Sequence, residues 1–363
     1  MTYLFWSTPI SWYNIIALTP IMSKTKHLVC TFYGVMPDMK SYLKTKLRGH
    51  RLTAVETTID KQSCLNAETE ILGVFVDSQV TAKIITALPK LKLIVTLSTG
   101  YDHIDLAAAK KRKIPVCNVP TYGENTVAQH ALSLILALSR KLFPAVKRVK
   151  ESVYDYHGLK GFDLKGRTIG IIGTGHIGIH LIEMLQGLSV TVLAFDVFPN
   201  KSLEKKGFKY VTLNEIYKKS DIISLHVPLL PSTHHLIDKK EIKKMKKGVY
   251  IINTARGGLI NSEALVWGLE TGQVAGAGLD VLESEDIIES PERLFTQTMN
   301  ASRIKTNLMD NILIDHPATI VTPHSAFNST EALQRIYDVT INNIKSFENG
   351  LTENDVTKPP KKS

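Results

Sequence analysis

Residues 167–196 read RTIGIIGTGHIGIHLIEMLQGLSVTVLAFD. The run 168–172 is short and apolar, the pattern of a parallel strand buried on both faces. Gly173, Gly175 and Gly178 follow at G-x-G-x-x-G spacing, and Ile177, Leu181, Met184, Leu185 and Leu188 then line one face of a helix. A second apolar run, 190–195, ends on Asp196. The glycines have separate duties: Gly173 permits the tight turn, Gly175 lets a pyrophosphate approach the backbone, and Gly178 lets the helix lie close on the sheet. The helix start offers unpaired N–H groups and a positive dipole end to the phosphates. Asp196 stands 18 positions past Gly178. A carboxylate there accepts the hydroxyls of an adenosine ribose and repels a 2′-phosphate, so the cofactor implied is NAD rather than NADP. A glycine trio alone is a weak signal; strand, turn, helix, strand and acid in order supply the context the motif requires.

More than 160 residues precede this unit. Within them, apolar runs at 27–33, 52–57, 71–76, 91–97 and 115–119 read as strands, and 39–47 (with Asp38 as N-cap), 80–88 and 106–113 as helices. Their alternation means a first doubly wound α/β domain, which carries no phosphate fingerprint. The loop STGYDHID, 98–105, follows the carboxyl end of a strand, where open α/β sheets place ligands. Thr99 and Gly100 there could offer backbone N–H groups to a carboxylate, and a plain strand-to-helix turn explains them equally well. A long apolar helix, 126–142, follows. Beyond Asp196, strands at 221–226, 249–253, 274–279 and 318–322 alternate with helices at 213–219, 239–247 and 262–271. Residues 286–317 hold polar helical fragments without a clean period, and 330–349 form an amphipathic helix that returns to the first domain.

The fold class expected is therefore α/β, with two doubly wound parallel-sheet, Rossmann-like domains and an interdomain cleft. Residues 22–121 with 323–350 form the substrate domain, 122–322 the NAD-binding domain, and 351–363 a disordered tail. Residues 1–21 are expected to be an extension outside the fold. They are apolar and uncharged but lack a basic n-region, and Pro9 and Pro20 interrupt any spanning helix.

With 363 residues, 44% hydrophobic and 21% charged, the chain is an ordinary globular protein with ample core and no membrane span. Cys30, Cys64 and Cys117 are scattered, which excludes a disulfide framework and a C-x-x-C metal site and fits a reducing, cytoplasmic compartment. The net charge of +10 comes from dispersed lysines and arginines and from short runs at 110–113, 239–247 and 358–362. No nucleic-acid motif accompanies them, so they read as solvated faces.

Three ionisable residues follow strand ends in the second domain: Arg256, Glu285 and His324. An arginine binds a carboxylate or carbonyl with two donors. A histidine exchanges protons near neutral pH, and a carboxylate beside it fixes its tautomer and raises its pKa. Together, next to a nicotinamide, they are a kit for hydride transfer to a carbonyl. Singly, each has an ordinary structural explanation; their strength is joint.

At this point the chain resembles the D-isomer-specific 2-hydroxyacid dehydrogenases over about residues 25–350. GTGHIG, STGYDHID, NVPTYGENTVAQHA, LHVPL, NTARGGLI, GLDVLESE and TPHSAFNSTEA match in order. GTGHIG, Tyr122 and the 68-residue interval from Arg256 to His324 point to the D-lactate dehydrogenase-like branch. The resemblance implies that His324 is the acid/base and Glu285, rather than Glu283, its partner. It implies that Arg256 binds the substrate carboxylate and carbonyl, that Thr99 and Gly100 donate N–H groups to that carboxylate, and that Tyr122 lines the pocket. On the cofactor side, His176 and Ile177 would meet the pyrophosphate and Asp196 the ribose. Val227 and Pro228 would wall the adenine with Thr233 nearby, while Thr254, Ala255, Arg256 and Asp280 would hold the nicotinamide end. It also implies a homodimer packed through the cofactor domains and helix 126–142. Gln129 departs from the glutamate usual in that helix, and Ser325, Phe327 and Asn328 depart from the tyrosine-containing D-lactate versions, which leaves the substrate side chain open.

The activity expected is NAD-dependent interconversion of a small 2-oxo acid and its D-2-hydroxy acid, with no metal. An NAD-sensing corepressor of the same fold is the alternative, and it would need a peptide groove on the first domain. The formate dehydrogenase branch uses a glutamine-led arrangement, and Glu285 speaks against it.

Overall fold

The structure, a computed structural model, describes residues 27–61, 64–289, 291 and 300–358. The expected extension 1–21, residues 359–363 of the expected tail and residues 292–299 of the excursion lie outside these. The chain divides into two compact units, one running to Val119 and resuming at Val339, the other spanning Pro120–Asp338.

The first unit holds a five-stranded sheet, ordered β2-β1-β3-β4-β5, from β1 (Val29–Tyr33), β2 (Arg51–Ala54), β3 (Ile71–Val74), β4 (Leu93–Thr96) and β5 (Val116–Cys117). Its pairings are parallel. Every residue of β3 and β4 is buried, which is why these strands read as unbroken apolar runs. Helices α1 (Met39–Lys46), α2 (Ala82–Ala87) and α3 (Leu106–Lys111) connect them. Thr81 and Asp105 cap α2 and α3 with side-chain oxygens. Asp38 caps nothing: its own backbone is already helical (φ −66°, ψ −26°), so its carboxylate cannot reach back to the free N–H groups of α1.

Residues 351–358 were expected to be disordered and instead pack on this unit. Asn354–Val356 run antiparallel beside β5, with Val356 N donating to Val116 O (2.8 Å) and Asn118 N to Asn354 O (3.1 Å). They cover an edge strand whose backbone groups would otherwise be unpaired. Burial pushes the thiols of Cys30 and Cys117 up to about 12, leaving both inert.

The second unit holds seven strands ordered β12-β11-β10-β9-β6-β7-β8. They are β6 (Thr168–Ile172), β7 (Thr191–Phe195), β8 (Phe208–Tyr210), β9 (Ile222–Leu225), β10 (Val249–Asn253), β11 (Val274–Leu279) and β12 (Thr319–Val321). All pairings are parallel. From β6 the chain winds outward to β8, then returns to the other side of β6 at β9. The carboxyl ends of β6 and β9 thus flank the topological switch point, where such sheets open a crevice.

Helix α4 (Glu124–Ser139) buries Ala128, Ala131, Leu134 and Ile135 against this sheet. Gly278 of β11 makes the contact possible, since a Cβ there would lie 3.0 Å from Leu134 Cβ. The helix expected over 126–142 breaks earlier, because Lys141 adopts a left-handed backbone (φ 49°) and starts α5 (Leu142–Lys150). The remaining helices are α6 (His176–Leu185), α7 (Leu213–Lys219), α8 (Lys239–Ile242), α9 (Ser262–Glu270), α10 (Glu285–Glu289), α11 (Ala301–Asp315) and α12 (Thr330–Glu348). The basic run begins as the short α8, with Lys239 and Lys243 over the Trp267 ring.

Residues 323–338 belong with this second unit, not with the first as expected. A hydrogen-bond contact between Ser329 and Thr126 of α4 (3.3 Å) ties them there. Among the described residues, no helix is long and apolar enough to cross a membrane.

Candidate active site

The turn after β6 separates its three glycines by surroundings. Gly173 has φ +99°, and a Cβ on it would lie 2.4 Å from His226 O. A Cβ on Gly178 would lie 2.0 Å from Gly173 O, so α6 seats on the turn only because the side chain is absent. Gly175, at the N-cap of α6, has nothing within 4 Å of where its Cβ would be. That open space beside the first N–H groups of a ten-residue helix suits a pyrophosphate. His176 and Ile177 open the helix beside it, with His176 exposed.

Asp196, at the end of β7, accepts from Thr174 N (2.8 Å) and Thr174 Oγ1 (3.0 Å) on Oδ2 and from Phe198 N (2.9 Å) on Oδ1. Thr174 Oγ1 uses its proton there, so the Tyr210 hydroxyl, 2.8 Å away, donates to it. Half-buried Asp196 keeps one acceptor position on Oδ1 for a ribose hydroxyl. Tyr210 and Thr174 escaped the sequence reading; only the place of Thr174 inside the glycine motif hinted at it.

Across the switch point, Val227 and Pro228 follow β9. Thr233 organises this loop: its hydroxyl donates to Pro228 O (2.6 Å) and accepts from Leu230 N (2.8 Å). After β10, buried Asn253 bridges the next turn, accepting from Ala255 N (3.0 Å) and donating to Arg256 O (2.8 Å). Thr254 Oγ1 is buried and has no hydrogen-bond partner. An orphaned hydroxyl of this kind is costly unless a bound polar group satisfies it. Together with the open face at Gly175 and the acceptor on Asp196, it fits a dinucleotide.

The loop carrying Arg256 is keyed to the loop carrying Glu285. A Cβ on Gly257 would come within 1.9 Å of Leu282 O, so only glycine allows this approach. Leu282 N in turn donates to Glu285 Oε1 (2.7 Å), leaving Oε2 to meet His324 Nδ1 at 2.9 Å. The other ring nitrogen, Nε2, takes no part in this contact. Burial works against the imidazolium, but hydrogen bonding and attraction from Glu285 outweigh it. Arg256 lowers and Asp280 raises the result, and the net effect raises the His324 pKa. Tyr122 lies in the same unit, its ring edge-on to Phe327 at 6.5 Å. Burial raises its phenol pKa, against the opposing charge of Arg256.

Glu283, two residues before Glu285, is tied elsewhere. It meets His235 Nε2 at 2.6 Å and accepts from Ser262 N and Oγ, each at 3.1 Å. His234, His235 and Glu283 bring ligand atoms within 4.8 Å of one another, the two imidazole rings lying 3.9 Å apart and tilted by 30°. Asp280 is 1% exposed. Its carboxylate accepts from Thr322 Oγ1 (2.5 Å), Ser325 N (2.9 Å) and Ala326 N (2.9 Å), so its oxygens serve the turn around His324. In the first unit, Thr99 donates its hydroxyl to Val119 O (2.8 Å) and Ser98 Oγ donates to Gly100 O (2.6 Å), bonds that shape the loop after β4.

Comparison with known proteins identifies the family. Residues 132–326 match the family D-isomer specific 2-hydroxyacid dehydrogenase, NAD binding domain. A protein of Schizosaccharomyces pombe named 2-hydroxyacid dehydrogenase homolog 1 is 40% identical over 302 residues, 82% of this chain and 89% of that one. The pyruvate reductase of Chlamydomonas reinhardtii superposes with a TM-score of 0.82 at 37% identity, covering 91% of this chain and 98% of its own. D-lactate dehydrogenase from Aquifex aeolicus, solved with NAD and lactic acid, superposes at 0.79 with 33% identity over 91% of this chain and 100% of its own. The chain belongs to the D-isomer-specific 2-hydroxyacid dehydrogenases, in the D-lactate dehydrogenase-like branch, and is an NAD-dependent oxidoreductase.

Proposed function

We propose that the protein reduces small 2-oxo acids of pyruvate size to D-2-hydroxy acids, with His324, Glu285 and Arg256 as its catalytic residues. The observation that carries this is the 2.9 Å contact of His324 Nδ1 with Glu285, which reserves Nε2 for the substrate oxygen. When bound, NADH supplies a hydride to the carbonyl carbon. His324 Nε2 gives its proton to the carbonyl oxygen, which takes the former π pair. Glu285 keeps Nδ1–H in place and stabilises the imidazolium before transfer. The Arg256 guanidinium pairs with the substrate carboxylate and polarises the carbonyl. Thr99 and Gly100 would add backbone N–H groups to that carboxylate. Tyr122 and Phe327 wall the substrate side chain, and two rings in edge contact favour a small group. The relatives named pyruvate reductase and D-lactate dehydrogenase support the same size class. On the cofactor side, His176 and Ile177 would bind the pyrophosphate, Asp196 the ribose, Val227, Pro228 and Thr233 the adenine, and Thr254 and Ala255 the nicotinamide end.

A kinetic panel tests this reading. Pyruvate should have the highest kcat/KM among pyruvate, 4-methyl-2-oxopentanoate, phenylpyruvate and glyoxylate, NADH should exceed NADPH, and the product should be the D isomer. Preference for phenylpyruvate, or an L product, would reject it.

The working state proposed is a homodimer. Leu142, Phe143, Val146 and Val149 expose 45–54% of their surface along α5, which buries none of its residues. Such a stripe calls for a partner surface. The expected helix 126–142 is less available, because α4 uses its apolar face within its own unit. Sedimentation of a monomer at micromolar concentration would exclude the dimer.

A further inference from the structure

His324 has a left-handed backbone (φ 47°), a conformation that a non-glycine residue keeps only where its surroundings impose it. Asp280 imposes it. The Asp280 carbonyl accepts from His324 N (2.9 Å), and its carboxylate accepts from the next two backbone N–H groups, of Ser325 and Ala326. A carboxylate this deeply buried depends on the number and placement of its donors. The remaining donor is the Thr322 hydroxyl, 2.5 Å from Oδ1.

That hydroxyl has one proton, and an ionised carboxylate can only accept. Thr322 Oγ1 therefore gives its proton to Asp280 and has only lone pairs left for its other neighbour, His130 Nε2, at 3.0 Å. The network so assigns the hydrogen of His130 to Nε2. The same nitrogen lies 3.5 Å from Asp280 Oδ1. His130 sits one helical turn from Leu134, the residue that Gly278 admits against β11. The side chain thus reaches Thr322 from a rigid element, 192 residues away in sequence.

We propose that His130 is a positioning residue for the reaction, aligning Thr322 and Asp280 so that the turn they hold presents His324 to Glu285. This rests on the reading of His324 as the proton donor. The charged groups acting on the His324 ring are Glu285, Arg256 and Asp280. Loss of the His130 donor frees Thr322 Oγ1 to turn, removes support from Asp280, and lets the His324–Glu285 contact lengthen.

The test uses the full chain with His130→Leu, which removes the donor, and His130→Gln, whose amide N–H can still donate to Thr322. In His130→Leu, kcat for pyruvate should fall about tenfold to a hundredfold, since small misplacements of a reacting group have effects of that size. NADH affinity, read by fluorescence titration, should stay at the wild-type value. A ¹³C-histidine NMR titration, with His324→Gln identifying the signal, should show the His324 pKa falling in His130→Leu and returning in His130→Gln. An unmoved His324 pKa in His130→Leu overturns the proposal. So does an equal loss in both variants accompanied by weaker NADH binding and a lower Tm, which is a purely structural role. Should the wild type reduce no oxo acid, the functional reading fails, while the titration still decides whether His130 positions His324.

Discussion

His324→Gln is expected to lower kcat for oxo-acid reduction by about a thousandfold, within the range that general acid catalysis contributes. NADH affinity should hardly change, because the residues proposed to face the cofactor belong to the turns after β6, β7, β9 and β10. The glutamine amide can still donate to Glu285, so the contact survives while the proton source is lost. Since the position is left-handed, a backbone effect must be separated from a chemical one. His324→Asn does this, because asparagine adopts that conformation more readily than glutamine. Equal losses in both variants assign the effect to the missing proton; a loss confined to glutamine would assign it to the backbone. With His324 as the proposed proton donor, reduction would need the imidazolium, whose pKa Glu285 raises against the opposing pull of burial. The reduction rate should therefore hold above the ordinary histidine range and fall as pH rises through the raised value. Oxidation of the hydroxy acid should show the opposite limb. Glu285→Gln should shift both limbs to lower pH, and a His324→Gln enzyme that kept the wild-type limb would exclude His324 as the titrating group.

The cofactor turn was legible in the sequence because its determinants are contiguous: one apolar strand, three glycines with distinct clearances, one helix and one acid. The meeting of Glu285 with His324 spans 39 residues, and what made it readable was the placement of both after strand ends of one parallel sheet. Other features were invisible for a common reason, namely that they depend on hydrogen bonds between distant segments. The Pro- and Lys-rich composition of the C-terminal tail gave no sign that Asn354–Val356 would complete the β5 edge. A left-handed lysine at 141 broke a helix that the apolar pattern extended through it. Asp280 follows the strand run 274–279, but nothing local showed that Thr322, Ser325 and Ala326 would occupy its carboxylate. His130 was one polar residue in an apolar helix, and nothing local showed that it would meet Thr322, 192 residues on.

Arg256→Gln should reduce kcat/KM for pyruvate by roughly a hundredfold, about 3 kcal/mol, the scale of one or two charge-assisted hydrogen bonds to a carboxylate. One guanidinium nitrogen, Nη1, already donates to Ala255 O at 2.7 Å, and a guanidinium has donors enough to present a fork to the substrate as well. Arg256→Lys keeps the charge but not the fork, so it should recover only part of the loss. The same variants carry a second signature with a definite sign. The Arg256 charge lowers the His324 pKa, whereas the Glu285 charge raises it. Removing the arginine charge should thus shift the reduction limb to higher pH, opposite to the effect of Glu285→Gln, and Arg256→Lys should leave it near the wild-type position. Loss of turnover alone can come from many causes, but opposite shifts from two neighbouring substitutions require both charges to act on one imidazole. Limbs that moved together, or a limb unmoved by either change, would place the reacting proton on another group.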